Sequence, residues 1–261
     1  MALGFLFAAH LLFIESFLPV ATNVQWFWMG LSGIVGLGIG DSGLFAAYVL
    51  MGPRRTLLLQ ALSPIFATVF AFLMLGEVPR SLAMIGIAIT LGGVMLVIVE
   101  GENHSGELPL SRKLKTCGVL FGLISAVGQG VGLVLAKVGI YSNLVALNPI
   151  SAALMRMIFG AFSVWIVMLL GGRIAELRKA VSNQKAMDLT VVAAIAGPFL
   201  GVTFSMVAVT YAQAGVAQTL MSLSPVIIIP LVLVLYRQRT SGQGIIGALI
   251  AVIGVSILFL V

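Results

Sequence analysis

LQALSPI (Leu59–Ile65) and LMSLSPV (Leu220–Val226) are one segment written twice, 161 residues apart, and that duplication governs how the rest of the chain is read. Carried outward at the same offset without a gap, the match lays Ser63 and Pro64 on Ser224 and Pro225. It also lays Gly86 on Gly247, Ile89 on Ile250, Gly93 on Gly254 and Val94 on Val255. Leu, Val, Ile and Gly abound in this chain and would coincide often; a Leu-Ser-Pro shared by equivalent apolar stretches would not. The longest polar stretch, EGENHSGELPLSRKLKT (Glu100–Thr116), then joins two copies. The organisation expected is a first repeat over residues 1–100, a linker over 101–115 and a second repeat over 116–261.

Apolar residues make up 61 % of the 261 and charged residues 8 %, against about 45–50 % and about 25 % in soluble domains. No water-facing surface can be built from that composition. A bilayer core of about 30 Å is crossed by about 20 apolar residues in a helix, and nine such stretches follow one another. They lie near 2–20, 26–51, 55–75, 81–99, 116–139, 149–171, 189–212, 216–236 and 244–261. Because lipid offers backbone groups no hydrogen-bond partner, segments of this length must be helices; barrel strands would be about half as long and would alternate. The fold class expected is therefore all-α, a polytopic membrane helical bundle.

Eleven basic residues fall in alternate connectors: Arg54 and Arg55; Arg112, Lys113 and Lys115; Arg173, Arg178, Lys179 and Lys185; Arg237 and Arg239. Only Arg80 and Lys137 lie toward the other side. The positive-inside rule makes the crowded side cytoplasmic, with residue 1 inside and Val261 outside. The third and eighth spans, which carry the repeated motif, then run in opposite directions. Inverted repeats are an architecture of transporters.

The same composition narrows the function classes. With Cys117, His10 and His104 as the only thiol and imidazoles, neither a disulfide framework nor a His/Cys metal site can be assembled. The net charge of +6 is spread through connectors without interleaved aromatics, so nucleic acid is not an expected partner. The first twenty residues lack a basic start and a small-residue cleavage site, so they read as a span and not as a cleaved leader. A lipid-acting enzyme would need paired carboxylates or a nucleophile with its base, and Asp41 is the only acid near mid-membrane; no catalytic residue or cofactor is expected. A receptor or scaffold is the other competing class, although sensing does not require an inverted duplication.

GDSGLFAAYVLMGPRRTLLLQALSPIFATVFAFLMLGEVP (Gly40–Pro79), with its Leu-Gly-Glu ending at Glu77, and the counterpart from Gly201 to Thr240 resemble the EamA-type transporters of the drug/metabolite transporter superfamily. The resemblance implies two five-helix repeats moving small metabolites or drugs across the plasma (cell inner) membrane, in the direction of export. It also implies ten helices with both termini cytoplasmic. The first half here has four spans, which leads us to expect one further helix before residue 1, and with that helix restored the charge bias places both termini outside. Gln238 occupies the position of Glu77 in the second half, so the glutamate's role at that bend is not duplicated.

Substrate contacts are sought where helices are interrupted. Pro64 and Pro225 lack an N–H, which frees the carbonyls of Gln60 and Met221, and paired Pro-interrupted spans point to a transporter's binding site. Gln60, Ser63, Ser222 and Ser224 add polar groups beside them; alternatively the prolines only curve the helices. Asp41, inside the second span with Tyr48 two turns along the same face, either holds an amino group or a proton or bonds a neighbouring helix as a packing device. Ser125, Gln129 and Lys137 share one face of the fifth span, with Lys137 read as reaching toward the interface. Arg156, seven residues into the sixth span, either binds an anionic group or pairs with Glu15 or Asp41. Thr203 and Tyr211 follow the bend at Gly197 and Pro198 and join the expected lining. The run Gly36, Gly38, Gly40, Gly43 has no strand before it and reads as small-residue helix packing, not a phosphate loop. Expected partners are the lipid bilayer, a small-molecule substrate and, for a coupled carrier, protons.

Overall fold

The computed structural model describes residues 1–100, 112–171, 181, 184–224, 226 and 242–258. Among them every regular element is a helix. In chain order these are α1 (Ala2–Ile14), α2 (Asn23–Ser32), a π-helical stretch Gly33–Gly40, α3 (Asp41–Met51), α4 (Pro53–Gln60), α5 (Ser63–Leu75) and α6 (Ser81–Glu100). There follow α7 (Arg112–Tyr141), α8 (Pro149–Leu170), α9 (Gln184–Ala194), a second π-helical stretch Ile195–Phe199, α10 (Leu200–Tyr211), α11 (Ala214–Met221) and α12 (Gly242–Leu258). Among the described residues five helical runs are long and apolar enough to cross a bilayer: Asn23–Met51, Arg55–Leu75, Thr116–Tyr141, Pro149–Leu170 and Ala186–Tyr211. Ala2–Ile14, Ser81–Leu96 and Gly242–Leu258 are shorter apolar helices. The linker expected over 101–115 lies outside the described residues as far as 111.

Local chemistry sets the ends. Thr22 and Gln25 form a capping box at the start of α2, each side chain accepting from the other's backbone N–H at 3.3 and 3.0 Å. Asn148 caps α8 through the N–H of Ile150 at 2.9 Å, with Pro149 in the first turn where its missing donor costs nothing. The first helix stops at Ile14, short of the expected span to residue 20, because Glu15 adopts a left-handed conformation with φ 56°. At Gly76 (φ 66°) the chain turns so that the N–H groups of Gly76 and Glu77 return to the carbonyls of Phe72 and Ala71 and close α5.

The duplication reappears in helix boundaries. α4 and α11 begin at Pro53 and Ala214 and end at Gln60 and Met221, and both pairs are 161 residues apart. Past α4 the helix breaks at Ala61–Leu62, where Leu62 donates to Leu59 and Ile65 donates to Leu62, each at 3.0 Å. Pro225 lies outside the described residues.

The chain divides into two compact units, each drawing on both halves of the sequence: Met1–Gly38 with Gly132–Tyr211, and Ile39–Val131 with Ala212–Val261. In the first, α8 packs on α1, α2 and α10. Glycines let it approach the first π-helical stretch: a Cβ at Gly33 would lie 2.2 Å from the Arg156 carbonyl oxygen, and one at Gly36 would lie 2.5 Å from Arg156 Nη2. His10 is fully buried between the hydroxyls of Ser16 (3.2 Å) and Ser151 (3.4 Å).

In the second unit α6 and α12 pack antiparallel. A Cβ on Gly254 would lie 2.9 Å from the Gly86 carbonyl oxygen, and one on Gly93 would lie 2.6 Å from that of Gly247. Offsetting by 161 residues turns the first contact into the second. Likewise Gly254 against Thr90 N (2.5 Å) becomes Gly93 against Ala251 N (2.4 Å). These two equivalent helices run in opposite directions and exchange contacts, so a local two-fold relates them, as an inverted repeat requires.

Candidate functional site: a polar cavity at a broken helix

The second unit holds a half-open cavity of ≈ 290 Å³. Its polar wall is made of Tyr48, Gln60, Ser63, Gln129, Gln218, Ser222 and Ser224, and its apolar wall of Leu44, Leu57, Ala61, Val94 and Met221. The helix breaks explain why these residues converge. Where α4 ends, the α-helical hydrogen bonding is interrupted at Ala61 and Leu62, leaving Gln60 on one side of the break and Ser63 on the other. The end of α11 presents Met221, Ser222 and Ser224 at the matching positions.

Two hydrogen bonds fix this wall. Gln218 Nε2 donates to Ser63 Oγ at 2.8 Å, joining α11 to α5 between groups that are both buried. Gln129 Nε2 donates to Asp41 Oδ1, joining α7 to α3. Asp41 thus stands behind Gln129 and orients a side chain that does line the cavity. It lies in the first turn of α3, directly after the π-helical stretch, inside the helix that runs from Asn23 to Met51. Gln60 Oε1 is buried and has no hydrogen-bond partner among the described residues, and an unmet buried acceptor costs about 1–3 kcal/mol. Among the described residues no lining side chain carries a formal charge.

Of the residues singled out in the sequence, Tyr48, Gln60, Ser63, Gln129, Ser222 and Ser224 line the cavity, and Asp41 touches it through Gln129. Pro64 is buried beside Ser63 at the start of α5. Ser125 is fully buried on α7, one turn before Gln129, where the α3 glycine Gly43 packs against it. Arg156, Thr203 and Tyr211 belong to the other compact unit and are not among the lining residues. There Arg156 is buried, Thr203 Oγ1 donates to the Phe199 carbonyl at 2.7 Å, and Tyr211 is largely exposed. Gln218 was missed. Its position four residues before Ser222 puts both on one helix face, but its repeat partner is Leu57, so comparing the halves hides it.

A solved crystal structure of a protein is 20 % identical to this chain, with a TM-score of 0.72 over 99 % of this chain and 84 % of that one, and shares its fold. No curated protein matches. The EamA-like transporter family matches residues 1–99 and 116–260. Its two matched segments cover most of an all-helical chain whose equivalent helices pack in inverted fashion, and the chain belongs to the EamA-like transporter family.

Proposed function

We propose that the chain moves a small, uncharged or zwitterionic polar metabolite across the plasma membrane by alternating access, in the direction of export, with the cavity of the second unit as its substrate site. The observation that carries this reading is the cavity itself, whose described lining sets uncharged polar side chains into an apolar wall at the ends of α4 and α11, which are equivalent elements of the two halves. At ≈ 290 Å³ it lies at the lower edge of the ligand-pocket range of about 300–1,000 Å³, which favours amino-acid-sized or sugar-sized compounds over larger drugs. Gln60 Oε1 favours a substrate that brings an N–H or O–H donor. Asp41, buttressing Gln129, is the group to which we assign proton coupling.

The test is uptake and efflux of a mixed metabolite panel in proteoliposomes, with and without a proton gradient. Saturable flux of a small polar compound that falls when Gln60 is changed to Leu supports the assignment. A folded protein that moves nothing in the panel under either condition removes it and favours a receptor or scaffold.

A further inference from the structure

The Leu-Gly-Glu bend after α5 has a partner that the transport reading does not use. Glu77 Oε2 accepts the backbone N–H of Ala214 at 2.9 Å. Ala214 is the first residue of α11, and its N–H is one of the helix-start donors with no partner inside the helix. The contact is the outermost of three that zip α5 and its bend to α11. Next comes Gly215, where a Cβ would lie 2.1 Å from Thr68 Oγ1. Last is the bond from Gln218 to Ser63, in the cavity wall. Whatever holds the start of α11 therefore sets how far Gln218 reaches into the cavity.

The sequence of the other half cannot form this bond. At the equivalent positions Gln238 replaces Glu77, Arg237 replaces Gly76, and Pro53 replaces Ala214. Proline has no N–H to give, and a carboxamide supplies no carboxylate. Both partners and the left-handed glycine that aims the acceptor have changed together. In an inverted repeat, equivalent positions lie on opposite membrane faces.

We propose that Glu77 is a positioning residue that latches the start of α11 to the end of α5, closing the cavity toward one membrane face, and that the opposite face has no such latch. The proposal rests on the transport reading only for its consequence, that the two gates of the carrier are unequal. Its test requires no substrate, so it can fail while the carrier assignment stands.

Cysteine at position 222 (Ser222→Cys), in a Cys117→Ser background because Cys117 is a free exposed thiol, is reacted with a membrane-impermeant thiol reagent in vesicles of each orientation. Glu77→Ala is expected to raise the labelling rate about tenfold from the Glu77 face and to leave the other face unchanged, the size of a charge-assisted hydrogen bond. Ala214→Pro deletes the donor instead. Proline suits a first helical position, and Gln213 before it is already extended (φ −62°, ψ 143°), so this variant preserves the helix. It should give the same increase, and the double variant should exceed neither single, as expected for one shared interaction. Gln238→Ala should change neither rate. Unchanged labelling in both singles, multiplying effects in the double, or an equal response to Gln238→Ala would each overturn the latch.

Discussion

Gln218 and Leu57 occupy equivalent positions in the two repeats and both line the cavity, yet only Gln218 reaches across to a serine. Its counterpart serine, Ser224, instead donates to the Met221 carbonyl at 3.0 Å within its own turn. The cavity therefore has one wall pinned by a side-chain bond and one that is apolar at the same place. Gln218→Leu makes the halves alike and strands the buried Ser63 hydroxyl. Uptake kinetics should show KM rising about 5–30-fold, with a smaller change in kcat, since the lost interaction of about 1–2 kcal/mol holds the wall in ground and transition states alike. A variant whose KM stays at the parental value would remove Gln218 from the site. Asp41→Asn separates two roles at the neighbouring wall. The amide oxygen still accepts from Gln129 Nε2, so substrate exchange should persist, while accumulation driven by a proton gradient should be lost. Gradient-driven accumulation in that variant would take the proton away from Asp41.

At the scale of elements, the packing of α6 on α12 is set by glycines that differ sharply between adjacent positions. Gly92 has open space where its Cβ would be, whereas a Cβ on Gly93 would meet Ala251 N at 2.4 Å and the Gly247 carbonyl oxygen at 2.6 Å, both backbone atoms that cannot yield. Gly93→Ala should therefore destabilise the detergent-solubilised protein by about 1–3 kcal/mol. Gly92→Ala, relieved of glycine's helix penalty, should be neutral or stabilise by up to about 1 kcal/mol. Thermal melting of the two variants side by side decides it, and equal shifts would dismiss the close approach. These elements were largely legible in advance, because apolar length in lipid dictates helix and Pro64 dictates an interruption. The gapless offset also anticipated the pairing of Gly86 with Gly247 and of Gly93 with Gly254 as equivalents. Other features were not legible. The π-helical stretch before Asp41 has no composition cue apart from its glycines, and the left-handed Glu15 that ends α1 early is a residue type that gives no warning of it. Gln218 was hidden because its equivalent in the first half is Leu57, so the repeat offers no polar match at that position.

For the whole molecule, the two compact units cut across the sequence repeats, since α7 continues from one into the other and so does the helix from Asn23 to Met51. Sequence adjacency could not reveal that division, and it explains why Arg156, Thr203 and Tyr211, chosen for being polar within spans, fall outside the unit that holds the cavity. Charge, by contrast, does speak at this scale. Eleven basic residues occupy alternate connectors and two lie toward the other face, an asymmetry that acts during insertion through the cost of moving cations across the bilayer. If it sets the orientation, a cysteine placed at His104 should react with an impermeant reagent only from the cytoplasmic side, and one at Asn143, between α7 and α8, only from outside. Replacing Arg54, Arg55, Arg112 and Lys113 with Gln removes four of the five basic residues in the connectors that flank the first repeat and should yield a mixed population in which both positions label from both sides. A parental protein that labels at position 143 from the cytoplasm would show that the hydrophobic repeats, and not the connectors, dictate orientation, and would put the Glu77 bend on the cytoplasmic face.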